Sequence, residues 1–160
     1  MPDGAERAYV AGLTLLARCE LAEAQLRTRL ARRKFDREDI DSAVARLRLE
    51  GALDDRRTAL ACARTEVRLR HHGRARVLRQ IESLGIARDV AREAVAEVFT
   101  ELDEGELLEQ ALDRRLRRGV DLSDPAIVRR MHRYLVGQGF EPSAVTGLLR
   151  RRRASLAESL

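Results

Sequence analysis

Leu26 to Val44 reads LRTRLARRKFDREDIDSAV, and the fold class follows from how this stretch repeats. Leu26 and Leu30 stand four residues apart, on one face of a helix. Ile40, Val44 and Leu47 form a second apolar stripe after Phe35. Between the stripes lie Arg32, Arg33 and Lys34, the basic close of one helix, and then Asp36, a residue suited to cap the next. The stretch therefore predicts helix, tight turn, helix.

The pattern returns twice. With Phe35, Ile86 and Phe140 aligned, Leu30, Ile81 and Leu135 stand five residues before, and Leu26, Val77 and Met131 nine before. Ile40, Ala91 and Val145 stand five after. Ala43–Val44, Ala94–Val95 and Leu148–Leu149 stand eight and nine after. Lys34, Gly85 and Gly139 immediately precede the anchor. Of these seven columns, six are apolar in all three copies, and the copies are offset by 51 and 54 residues.

Working outward, each copy is preceded by a further helix, over Ala8–Glu20, Asp55–Arg70 and Glu106–Arg118. Tyr9, Leu13 and Leu16 carry the stripe of the first. Ser123 or Asp124 caps a helix with Pro125 in its first turn, and Pro142 opens another. Gly51, Gly73 and Gly119 stand where a left-handed residue closes a helix. No alternating β-branched pattern is present. The expectation is an all-α chain of three tandem three-helix repeats, 1–52, 53–103 and 104–160, stacked as an elongated, curved array. One such unit is too small to bury a large core alone.

Composition supports this. Aromatics are 3% of the residues and Trp is absent, so the core rests on Leu, Val, Ile and Ala in thin helical layers. Charged residues are 36% and the net charge is +5, a balance that favours a polyanionic partner. The basic side chains cluster. Besides Arg32, Arg33 and Lys34, there are Arg70, Arg74, Arg76 and Arg79 around His71–His72. Arg117 and Arg118 close a helix, Arg129 and Arg130 follow Pro125, and Arg150, Arg151, Arg152 and Arg153 form an unbroken run. These fifteen residues are the candidate contacts to a protein filament or to DNA. The acidic stretch Glu97, Glu101, Asp103, Glu104, Glu106 and Glu109 reads as a solvated linker.

Chemistry-bearing motifs do not emerge. There are three His, and Cys19 and Cys62 stand far from them, which makes no metal-ligand spacing. Phosphate-loop and dinucleotide fingerprints are absent. Asp54–Asp55 reads as a helix cap, and His132 as a helix-face residue. No enzymatic activity, cofactor or metal is expected. No stretch reads as a secretion signal or membrane span, so a cytoplasmic protein is expected, with both thiols reduced. Each Cys lies in an Ala/Leu-rich run and is expected to pack as a small helical residue.

The stretch Asp36 to Gly51, DREDIDSAVARLRLEG, followed by Ala52-Leu53-Asp54-Asp55, resembles the first unit of the RecX family. Gly73 with Ile81 and Leu84-Gly85-Ile86 resembles the second, and the likeness runs from about Tyr9 to Arg153. Two positions depart: Thr58 stands where the family has an aromatic, and Glu66 where it often has Arg. The resemblance implies a non-catalytic regulator of DNA recombination and repair. It would bind the RecA–DNA filament as a monomer, reach into its groove, and inhibit its ATP hydrolysis, strand exchange and co-protease function. A basic helical module that binds single-stranded or duplex DNA independently of RecA is the competing expectation.

Overall fold

The computed structural model describes residues 3–116 and 120–158. Among them are nine α-helices and no strand: α1 Gly4–Leu16, α2 Glu23–Arg32, α3 Arg37–Leu49, α4 Asp55–Arg70, α5 Arg74–Ser83, α6 Arg88–Thr100, α7 Glu104–Leu116, α8 Pro125–Gly137 and α9 Pro142–Glu158. The all-α tandem repeat expected from the sequence is what the chain forms. The repeat columns are its core. Leu30, Ile81 and Leu135 are each fully buried, as are Leu26, Val77, Ala91 and Val145. Phe140 and Ile86 are buried, while Phe35 is half-buried.

The turn ahead of each anchor is the same device three times. Lys34, Gly85 and Gly139 have φ of 67°, 83° and 98°. This left-handed residue lets the chain fold back on the finished helix. In the first and third copies the anchor amide closes the motif, Phe35 N donating to Leu30 O at 3.4 Å and Phe140 N to Leu135 O at 3.3 Å.

Helix starts follow their caps. Asp3 accepts from Glu6 N at 2.8 Å, so α1 spans Gly4–Leu16 where Ala8–Glu20 was expected. Asp103 accepts from Glu106 N at 3.1 Å and starts α7 at Glu104. The expected end of that helix at Arg118, with Arg117 and Gly119, lies outside the described residues. Asp124 accepts from Ala126 N, and α4 spans Asp55–Arg70 as read. Asp36 holds the cap position of α3, though its side chain makes no cap bond. Asp54 caps α4 through Arg57 N, and Asp55 reaches back to accept from Glu23 N at 2.8 Å, at the start of α2.

Three readings are corrected. Gly51 is left-handed, but at the end of α4 that conformation belongs to His71, φ 55°, and not to Gly73. Gly73 is small for another reason, the close approach of Gly139. Cys19 lies exposed in the bend after α1, which ends before it; Cys62 is half-buried in α4. The acidic stretch is mostly helical, in α6 and α7, with Glu104 paired to Arg74 and Glu109 to Arg152.

The chain divides into two compact units, Met1–Cys62 with Gln80–Ala94, and Ala63–Arg79 with Val95–Leu160. Helices α4, α5 and α6 thus contribute residues to both. In the first unit α1 packs chiefly on α3, around Leu15, Leu21, Leu26, Leu30, Ile40, Val44, Leu47 and Leu53. In the second, α7, α8 and α9 pack together over Leu108, Leu112, Met131, Leu135, Val145 and Leu148.

Candidate functional site

The basic side chains separate into those held inside the structure and those left over. In the first unit Arg32, Arg33 and Lys34 are exposed at the end of α2, with no acidic partner among the described residues. Cations there complement the negative end of the helix. Arg29 and Arg32 line a shallow groove whose opposite wall is Ser83–Gly85.

In the second unit the corner between α4 and α5 is fixed by a buried pair. Nδ1 of His72 lies 2.6 Å from Oε2 of Glu66, and both side chains are buried. The other Glu66 oxygen lies 3.5 Å from Arg70. Across from this corner, Gly73 N donates to Gln138 O at 2.8 Å and Ala75 N to Gly139 O at 3.2 Å. Arg76 is half-buried there and donates to Gly137 O at 3.4 Å. Arg74 pairs with Glu104 at 2.5 Å and lies 5.0 Å above the Phe99 ring. Arg70, Arg74 and Arg76 are therefore part of the fold as well as of the surface. Arg79 is exposed without an acidic partner.

The helical hairpin α8–α9 is different. From Pro125 to Ala157 the chain carries seven Arg and one acidic residue, Glu141. Only Arg152 is neutralised, turned toward α7 at 2.8 Å from Asp113 and 3.9 Å from Glu109. Arg129, Arg130, Arg133, Arg150, Arg151 and Arg153 are exposed and lack an acidic partner among the described residues. Helix geometry explains the split. Four successive Arg are spread by about 100° each, so one must face the neighbouring helix and the rest point outward. Arg117 and Arg118 lie outside the described residues. Within the second unit, then, Arg129, Arg130, Arg150, Arg151 and Arg153 are exposed on α8 and α9, while Arg152 is held against α7.

Two roles escaped the sequence reading. Arg114 donates to Leu69 O at 2.8 Å and lies 3.3 Å from His71 Nδ1, tying down the last turn of α4. Arg115 stacks on Tyr134, 4.9 Å from the ring centre. Nothing in local spacing marks either contact, since each partner lies on another helix.

The sequence profile described as RecX, first three-helix domain, matches residues 8–47. A regulatory protein RecX of Syntrophotalea carbinolica is 32% identical over 137 residues, covering 83% of this chain and 88% of that protein. This chain belongs to the RecX family. A RecX of Thermus thermophilus is 39% identical over 128 residues, covering 80% of each chain. The crystal structure of RecX from Lactobacillus salivarius superposes with a TM-score of 0.81 over 94% of this chain and 97% of that one. At 16% identity, it speaks for the fold. The first-domain match of RecX runs from Ala8 in α1 to Leu47 in α3, the first of the three repeats. Relatives carry the name regulatory protein. Among the described residues no helix is long and apolar enough to cross a membrane.

Proposed function

We propose that this RecX-family chain binds the filament of the RecA recombinase and inhibits its ATP hydrolysis, strand exchange and co-protease functions. The observation that carries the reading is the excess of exposed cationic side chains on α8–α9. The six exposed Arg there lack acidic partners among the described residues, on a member of a family named for regulation. Unneutralised charge held on rigid helices seeks an anionic surface, and the partner it meets is set by complementarity. Several weak contacts linked through one folded chain gain avidity without any strong single contact.

The action is by occupancy. A protein lodged on a filament blocks movement and access, and needs neither a reacting group nor a cofactor. On this reading the protein works as a monomer, in the cytoplasm where the recombinase acts. The three repeats, bounded near Leu53 and Asp103, supply successive contact surfaces.

The test is suppression of DNA-dependent ATP hydrolysis by preformed RecA filaments, with bare single-stranded DNA as competitor. Filament binding predicts that excess DNA competes poorly. A module that acts only on DNA predicts that the competitor abolishes the effect, with the steep salt dependence of phosphate contacts.

A further inference from the structure

Between α8 and α9 lies a notch of about 230 Å³, lined by Val128, His132, Thr146, Leu149, Arg150 and Arg153. We infer that this notch is a docking site for an acidic protein segment that inserts one aliphatic side chain between the two helices.

Three observations carry the inference. First, the one hydroxyl in the wall is already satisfied inward. Thr146 Oγ1 donates to Pro142 O at 2.9 Å and lies 3.1 Å from His132 Nε2. Water in the notch finds few partners, and a site of this size without two to four polar partners per water favours an apolar occupant. Second, the rim is cationic. Arg150 and Arg153 stand one turn apart on α9, neither with an acidic partner among the described residues. Third, Val128 is half-buried, so its side chain is open to a visitor while the helix beneath stays packed through Met131 and Leu135.

An apolar floor with a basic rim matches an aliphatic residue flanked by Asp or Glu. The methyl groups displace poorly bonded water, and the carboxylates meet the guanidinium groups in paired hydrogen bonds. A phosphodiester chain fits less well, because a charged group set on an apolar floor loses hydration without compensation. Peptide recognition by the notch rests on Arg150 and Arg153 beside its apolar floor. Its extension to the recombinase filament rests on the proposed function.

The experiment uses the full protein, labelled with nitrogen-15, and three probes. These are the capped pentapeptide Asp-Glu-Leu-Glu-Asp, its Leu-to-Ser counterpart, and a short oligothymidylate. The leucine peptide is expected to shift the amides of Val128, His132, Thr146 and Leu149 saturably. The serine peptide should bind at least about tenfold more weakly, the loss expected for an unburied leucine. Val128→Asp should abolish these shifts. The double variant Arg150→Gln with Arg153→Gln, on exposed positions that leave the core untouched, should weaken them. Equal shifts by both peptides, or shifts at these amides by the oligothymidylate and not by the peptide, overturn the inference. Filament pull-down separates it from the functional proposal. If wild type and Val128→Asp bind filaments equally, the notch is not used there: its extension to the filament fails while the proposed function stands, and the peptide titration alone decides the peptide site. If the wild type takes the peptide but ignores filaments, the proposed function fails and the notch remains a peptide site.

Discussion

Gly73 and Gly139 meet backbone to backbone: a Cβ added to Gly73 would lie 2.5 Å from the carbonyl carbon of Gly139. Gly139 is the more constrained partner. Its φ is 98°, and a Cβ there would lie 2.3 Å from Arg76 N. Neither collision involves the end of a flexible side chain, so the backbone itself must move.

Gly73→Ala is accordingly expected to cost about 1–3 kcal/mol, as overpacking does. Gly139→Ala adds a left-handed penalty of about 1–2 kcal/mol. Gly51→Ala is the control, since Gly51 is left-handed with open space around it and should suffer only that second penalty. Urea unfolding measures all three. A Gly139→Ala protein no less stable than Gly51→Ala would show that the corner gives way freely.

The aligned core positions lead to a second expectation. Leu30→Ala, Ile81→Ala and Leu135→Ala each remove a fully buried side chain and should each cost about 2–5 kcal/mol. Leu49→Ala, at a side chain 89% exposed, should change stability by less than about 0.5 kcal/mol. A near-neutral effect at any of the three buried positions would break the equivalence of the repeats.

These apolar columns were legible in the sequence because a buried helical face repeats every three to four residues and leaves that spacing in the chain. The tight turn was legible at the Lys34, Gly85 and Gly139 column, but left-handed residues were expected at Gly51, Gly73 and Gly119 instead. The starts of α1 and α7 were not legible, because Asp3 and Asp103 set them ahead of the first apolar residue of the stripe. Gly73 misled because a glycine after a helix looks the same whether it supplies a positive φ or a close approach. The Glu66–His72 pair was hidden altogether, since its partners meet only once the chain has turned between them. Of the candidate contacts, spacing located the clusters. Which members are spent inside the fold, such as Arg74 on Glu104 and Arg152 on Asp113, required the tertiary arrangement.

A third expectation concerns pH. The Tyr9 hydroxyl donates to Glu50 at 2.6 Å, and Arg46 lies 3.0 Å from the same carboxylate and 3.6 Å over the Tyr9 ring. The Tyr9 hydrogen bond, then the Arg46 one, hold the Glu50 carboxyl below its ordinary range, and the bond to Glu50 holds the Tyr9 phenol above its own. A depressed acid contributes stability above its unfolded pKa and loses it as pH falls through the folded one. A raised phenol contributes below its unfolded pKa and loses it as pH rises through the folded one. Tyr9→Phe should therefore be less stable than wild type at neutral pH, with the difference shrinking below the carboxylate range and above the tyrosine range. A difference independent of pH would assign the effect to packing alone.

The fourth follows from the split among the arginines. Reversing Arg129, Arg130, Arg150, Arg151 and Arg153 together to Glu should strongly weaken inhibition of RecA filaments while leaving the circular dichroism unchanged. Arg74→Gln should lower stability modestly, through loss of a half-exposed ion pair and an aromatic contact, and affect inhibition less. For the wild type, inhibition should fall with added salt, because exposed charges are screened over about 8–10 Å at 0.1–0.15 M ionic strength. Retained inhibition in the five-fold variant would remove α8–α9 from the contact surface.

Lys34 has a practical consequence. It is the chain's only lysine, it stands exposed, and its left-handed turn holds it at the junction of two rigid helices. An amine-directed dye or cross-linker thus meets a single lysine side chain, with no mutagenesis to introduce one. The tag would report from one defined place in the first repeat, and a second reporter on Cys19 would give a distance ruler confined to that repeat.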